Sequence, residues 1–182
     1  MLRTRRQRAR DAEARRVVDA YGDDVLRLAY AYLRSRADAE DVCQDVLVRL
    51  LARDGQFDSP QHERAWVIRC AANACKDVLR SASRRTSAPL EAAGETADPT
   101  AWVDGAPTGP TPDDAPGPVS AAVLALPLAY REAIHLRYYE GLSVRQAAEV
   151  AGVSEDAMAK RLSRARAMLR ESLEGEGDGW EG

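Results

Sequence analysis

The stretch "EGLSVRQAAEVAGVSEDAMAKRLSRARAML", residues 140–169, spaces its small residues in a way that a simple helical bundle does not require: Ala148, then Gly152, then Met158. A helix from about Ser143 to Ala151 is expected to stop at Gly152, which lacks the Cβ that penalises left-handed backbone. A second helix then begins behind Ser154, a favourable N-cap, with Glu155 and Asp156 at the positive end of its dipole. Two short helices joined by a tight glycine turn form a helix-turn-helix.

Wound at about 100° per residue, the second helix places Met158, Leu162, Ala165 and Leu169 on one face. Asp156, Lys160, Ser163 and Arg164 fall opposite, with Ala159 and Arg170 beside them. An ordinary solvated helix face would show the same charges. The turn spacing favours a helix that enters the major groove, where short side chains permit close approach and cations meet phosphates and guanine edges.

The chain has 182 residues, 45% hydrophobic but only 5% aromatic, and is rich in Ala, Leu and Arg. That balance favours helices over sheets, so an all-α fold is expected. No apolar run approaches the roughly 20 residues that span a bilayer, and "MLRTRRQRAR" has no apolar segment behind it. No membrane insertion and a cytoplasmic location are expected. Cys43, Cys70 and Cys75 suggest no disulfide framework.

The net charge of −3 conceals blocks. Residues 1–16 carry seven arginines against Asp11 and Glu13, a net +5. Residues 64–85 carry Arg64, Arg69, Lys76, Arg80, Arg84 and Arg85 against Asp77, also +5. Residues 86–118 hold six carboxylates with no Lys or Arg, and many of the prolines and glycines. This acidic stretch reads as a flexible linker between two small helical domains. The organisation expected is a basic extension at 1–11, a domain at 12–85, the linker at 86–118, a domain at 119–174 and an acidic tail at 175–182. Trp102, Val103 and Trp180 are conspicuous only as isolated apolar residues in the linker and tail.

Within the first domain, "AEDVCQDVLVRLL" has Val42, Cys43, Val46, Leu47, Leu50 and Leu51 at helical spacing. Asp41, Asp45 and Val48 project from the other side, flanked by Gln44 and Arg49. An aliphatic residue on a carboxylate-and-amide face hints at a protein contact. Farther on, "AWVIRCAANACKDVLRSASRR" buries Val67, Ile68, Ala71, Ala74, Cys75 and Val78. Arg69, Asn73, Lys76 and Arg80 then form a continuous opposite row, flanked by Trp66 and Cys70. Cations attract phosphate, Asn pairs with base edges and an aromatic stacks on an unpaired base.

Taken in order, "AEDVCQDVLVRLL", "AWVIRCAANACKDVLR" and "ALPLAYREAIHLRYYEGLSVRQAAEVAGVSEDAMAKRLSRARAML" resemble a bacterial RNA polymerase sigma factor of the extracytoplasmic-function (ECF) type, in the sigma-70 family. The resemblance covers residues 15–85 and 120–172 and implies regions 2 and 4 without the large middle region. It implies that Asp41, Gln44 and Asp45 contact the clamp coiled coil of core RNA polymerase, and that Asn73, Lys76 and Arg80 face the −10 promoter element. His62, Glu63 and Arg64, in and after the loop "DSPQHER", become candidates for shaping the pocket of a flipped base, whose capture offsets unpairing. Ala159, Lys160, Ser163 and Arg164 would read the −35 element, with Arg145 and Arg161 on phosphates. Promoter DNA and an anti-sigma factor are the further partners implied, and the acidic linker would run toward the polymerase active centre and RNA exit path. Cys70 stands where the family usually has an aliphatic residue, Ala72 where Arg is common and Met158 where a β-branched residue is common.

A stand-alone helix-turn-helix regulator is the alternative; it accounts for residues 140–170 and leaves the Asp41 face and the Asn73 row without a task. An enzyme is not expected, because no phosphate loop or nucleophile elbow is present and the histidines are only His62 and His135. No cofactor is expected, and no metal, since Cys75 points into the expected core.

Overall fold

The computed structural model describes residues 2–86 and 117–175. All regular structure among them is helical, in seven α-helices and one π-helical turn. The chain divides into two compact units, residues 1–80 and 81–182. The expected linker, apart from its ends, and the tail beyond Gly175 lie outside the described residues, as do Trp102, Val103 and Trp180.

The first unit holds α1 (Leu2–Leu33), α2 (Arg36–Ala52) and most of α3 (Pro60–Thr86). α1 and α2 pack as an antiparallel pair across a two-residue turn. Arg34 in this turn takes a left-handed φ of 54° and its N–H donates to the Tyr30 carbonyl at 2.9 Å. Ser35 caps α2, its Oγ accepting from the Asp38 N–H at 3.3 Å. An L side chain in left-handed backbone costs about 1 kcal/mol. Arg34→Gly is therefore expected to stabilise this unit by about that amount, read as a higher denaturant midpoint at unchanged m.

Val25, Leu28 and Ala29 from α1, Val46 from α2, and Val67, Ala71 and Cys75 from α3 are fully buried. Each large aliphatic among them contributes about 1.5–3 kcal/mol through removal from water. Three expected core positions differ. Leu51 is 42% exposed, because it sits in the last turn of α2 at the rim of a cleft, Val78 is only half-buried beside a groove between α2 and α3, and Cys43 is only half-buried, its Sγ 3.5 Å from the Gly22 carbonyl of α1. Ala72 is buried in addition.

The second unit holds α4 (Pro118–Ala125), α5 (Leu128–Ile134), a π-helical turn (His135–Tyr139), α6 (Val144–Ala151) and α7 (Glu155–Gly175). α7 is the spine, packing on α4, α5 and α6. The expected punctuation of the hairpin is present. Ser143 and Gln146 form a reciprocal capping box, and Gly152 closes α6 at φ 76°, ψ 35°. Ser154 Oγ accepts from the Ala157 N–H at 3.2 Å at the start of α7. Met158 and Ala165 are fully buried and Leu162 nearly so, while Leu169, the fourth residue of the expected apolar face, is only half-buried farther along α7.

Candidate nucleic-acid interface

Burial of one stripe of α3 leaves the other in water. Arg69, Asn73 and Arg80 are exposed and Lys76 is half-buried, so the basic row survives folding on one side of the helix. Arg80 is steadied by Asp77 at 2.7 Å and donates through Nε to the Lys76 carbonyl at 3.3 Å. The row presents three cations and one amide along one side of the helix, which suits a polyanion.

At the start of α3 the structure assembles a cluster that sequence reading missed. Phe57 meets His62 edge-on at 5.6 Å and Trp66 at 5.8 Å between ring centroids. The Arg53 guanidinium lies 4.2 Å from the Phe57 centroid and 5.9 Å from that of Trp66. Half-buried Trp66 is thus anchored on its loop side. The one available signal was that Phe57 is the single phenylalanine of the chain.

Of the three loop-adjacent candidates, His62 is in this cluster, with Nδ1 3.2 Å from Asp58. Glu63 and Arg64 turn toward α1 instead. Glu63 accepts from Arg16 at 2.7 Å, and Arg64 reaches Asp24 at 3.3 Å. Hydrogen bonds that Arg16 donates to Glu13 and Glu63 hold its guanidinium above its ordinary range, and the same bond to Glu13 holds that carboxyl below its own. Glu63 still borders a cleft of about 560 Å³ lined also by Glu13, Arg16, Leu50, Arg53 and Phe57.

On α2, Asp41, Gln44, Asp45 and Val48 are exposed together, Val48 by 60%, and Asp45 pairs with Arg49 at 2.6 Å. Beside this face runs a groove of about 330 Å³ with a floor of Val42, Ala74 and Val78 and with Asp38, Asp41 and Asp77 at its walls. An aliphatic knob next to carboxylates suits a basic, partly apolar protein surface.

In the second unit, Ala159, Lys160, Ser163 and Arg164 share the exposed side of α7. Arg145 projects from α6, 78% exposed and paired with Glu149 at 3.3 Å. Arg161 differs from its neighbours. It is paired at 3.2 Å with Glu132 of α5, whose side chain is 6% exposed, so a phosphate contact from Arg161 would compete with a largely buried ion pair. His135 lies in the π-helical turn, stacked on Tyr139 at 4.6 Å with Nδ1 3.6 Å from Glu140, the His135 and Glu140 side chains both buried. Among the described residues no group of His, Cys, Asp and Glu comes together that could hold a metal ion. No described helix is long and apolar enough to cross a membrane.

A three-helix unit with a basic helix row, followed by a helix-turn-helix, defines a protein that handles DNA through two separate modules. Comparison with known proteins gives the class. The Sigma-70 region 2 family matches residues 17–85 and the Sigma-70 region 4 family residues 117–169. The ECF RNA polymerase sigma factor SigM of Mycobacterium tuberculosis is 33% identical over 147 residues, covering 81% of this chain and 70% of that protein. SigW of Bacillus subtilis is 28% identical over 163 residues, covering 86% and 87%. In fold, the chain resembles the sigma factor RpoE of Bartonella quintana, solved with the anti-sigma factor NepR, at TM-score 0.61 and 23% identity over 90% of this chain and 96% of that one. The chain belongs to the ECF sigma factors of RNA polymerase, and its function is promoter recognition in transcription initiation.

Proposed function

We propose that the two units divide the sigma task residue by residue. Asp41, Gln44 and Asp45, with Val48, dock on core RNA polymerase. Asn73, Lys76 and Arg80 face the −10 element. His62, with Phe57 and Trp66, forms the platform for an extruded base, while Glu63 and Arg64 act from behind by bracing the start of α3 against α1. Ala159, Lys160, Ser163 and Arg164 read the −35 element, Arg145 holds phosphate, and Arg161 positions α7 through Glu132. The single observation that carries this reading is that the basic rows of α3 and α7 are both solvent-facing, each backed by an apolar stripe. The protein acts in the cytoplasm beside its polymerase and has no turnover of its own. RpoE of Bartonella quintana was solved with NepR and CnrH with the cytosolic domain of CnrY; an anti-sigma factor is the corresponding partner proposed for this chain.

Run-off transcription with bacterial core polymerase on a genomic fragment library tests the proposal. Transcripts that require both proteins, sharing upstream motifs, are expected. Duplex binding by the protein alone, with no transcripts, would favour the stand-alone regulator. Replacing Asp41 and Gln44 by Ala is expected to weaken core binding by at least about 1 kcal/mol, and unchanged affinity would remove that face from the interface. Arg164→Ala is expected to reduce discrimination at one −35 position by about 1–3 kcal/mol if it reads a base. A uniform loss over all sequences would make it a phosphate contact.

A further inference from the structure

α1 begins four turns before its unit has a core. Val17 is the first buried side chain along it, and of the side chains described ahead of Val17 all are exposed except half-buried Ala14. The helix nonetheless starts at Leu2. Local interactions support it there: Gln7 bonds Asp11 at 3.0 Å, Arg16 pairs with Glu13 at 2.8 Å, and Ala9, Ala12 and Ala14 are strong helix formers. At 1.5 Å per residue this arm is about 20 Å long. It also lies outside the region 2 match, which begins at residue 17.

The chemistry of the arm selects its partner. Beyond Leu2 the arm contains no apolar residue larger than alanine, so it lacks the apolar face that would anchor in a protein groove or a lipid interface. Residues 3–16 carry seven arginines against two carboxylates. One carboxylate, Glu13, is bound by Arg16, and Arg16 is committed to Glu63 as well. Arg8, Arg10 and Arg15 are exposed along the described part of the arm. The root of the arm, Glu13 and Arg16, lines the same cleft as the loop residues Gln56, Phe57 and Asp58. The arm therefore leaves the unit beside the start of α3, where the proposed function puts promoter DNA.

We infer that the first four turns of α1 form a second, sequence-independent DNA contact, in which Arg8, Arg10 and Arg15 engage the phosphate backbone of promoter DNA next to the −10 site. The inference rests on the proposed placement of DNA on the first unit. Arginine forks suit phosphate oxygens, and each phosphate neutralised releases counterions, which makes the contact salt-dependent.

The test compares holoenzyme reconstituted from core polymerase and the full chain with holoenzyme carrying R8Q, R10Q and R15Q together; glutamine keeps the helix propensity. Promoter affinity is measured across a salt series, alongside affinity for core polymerase. The expected result is a log K against log salt slope less steep by about 2–3, since each phosphate left unneutralised takes about 0.9 from the slope. The fall in affinity should be equal on the promoter and on templates with scrambled −10 or −35 elements, with core affinity unchanged. An unchanged slope overturns the inference. So does a weaker hold on core polymerase, which would place the arm on the polymerase, and so does tighter DNA binding, which would mean that the arm serves to neutralise the acidic linker. Failure of the base-reading assignments is separable: substitutions at Asn73 and Arg164 would then leave sequence discrimination intact while the triple variant still flattened the salt slope.

Discussion

Replacing Arg131 by Met is expected to destabilise the second unit by about 3–5 kcal/mol, because two carbonyl acceptors lose a charged donor. Arg131 is 2% exposed, and its Nη1 donates to the carbonyls of Leu124 at 2.8 Å and Leu126 at 2.9 Å. These carbonyls end α4, so the guanidinium ties the close of α4 to α5 and places a cation at a helix C-terminus. Methionine matches much of the volume but leaves both acceptors unserved, and hydrogen bonds to charged groups contribute about 1.5–3 kcal/mol each. Lysine restores the charge without the planar fork, so rescue by Arg131→Lys should be partial. Hydrogen exchange would show protection reduced across α5 to α7 and kept in α1 and α2; undiminished protection throughout would refute the role. Upstream promoter discrimination should fall with it, since the face of α7 proposed to read the −35 element depends on the fold of this unit.

The second large effect is an alkaline loss of stability from Cys75. Burial pushes this thiol up to about 12 from an ordinary value of 9.0, against smaller lowering effects of its own backbone and the Lys76 charge. Below about pH 9 the thiol is protonated in both folded and unfolded chains and stability is independent of it. Between pH 9 and about 12 the unfolded chain gives up the proton first, so stability falls as pH rises. The total is about 4 kcal/mol, at about 1.36 kcal/mol for each pH unit of the window. Denaturant unfolding of the wild type and Cys75→Ala across this window isolates the contribution. The variant should lose less stability than the wild type by about that amount, and parallel curves would show that the thiol does not titrate as its burial requires.

The remaining differences between sequence and structure have a common cause. The hairpin of α6 and α7 is written in signals one turn long: Ser143 with Gln146, Gly152 at its left-handed position, Ser154 with Ala157. The apolar stripes of α3 and α7 were legible for the same reason, since a helix of fixed period assigns faces from neighbouring residues alone. Arg161 sits on the flank of α7 beside the exposed row of Lys160 and Arg164, and nothing within a turn distinguishes it from a phosphate ligand. Its partner Glu132 is 29 residues away. Glu63 and Arg64 likewise meet partners 47 and 40 residues distant. The Arg53, Phe57, His62 and Trp66 cluster exists because the loop between α2 and α3 folds back onto the first turns of α3.

By itself, then, the sequence determined the helices, their caps, the faces they bury and the order of motifs that marks a sigma factor, because each of these depends on residues within a few positions of one another. Which arginines are tied to carboxylates of another helix was decided only by tertiary packing, as for Arg16, Arg64 and Arg161, because a guanidinium takes whichever carboxylate the fold brings within about 3 Å, however far away that residue lies in the chain.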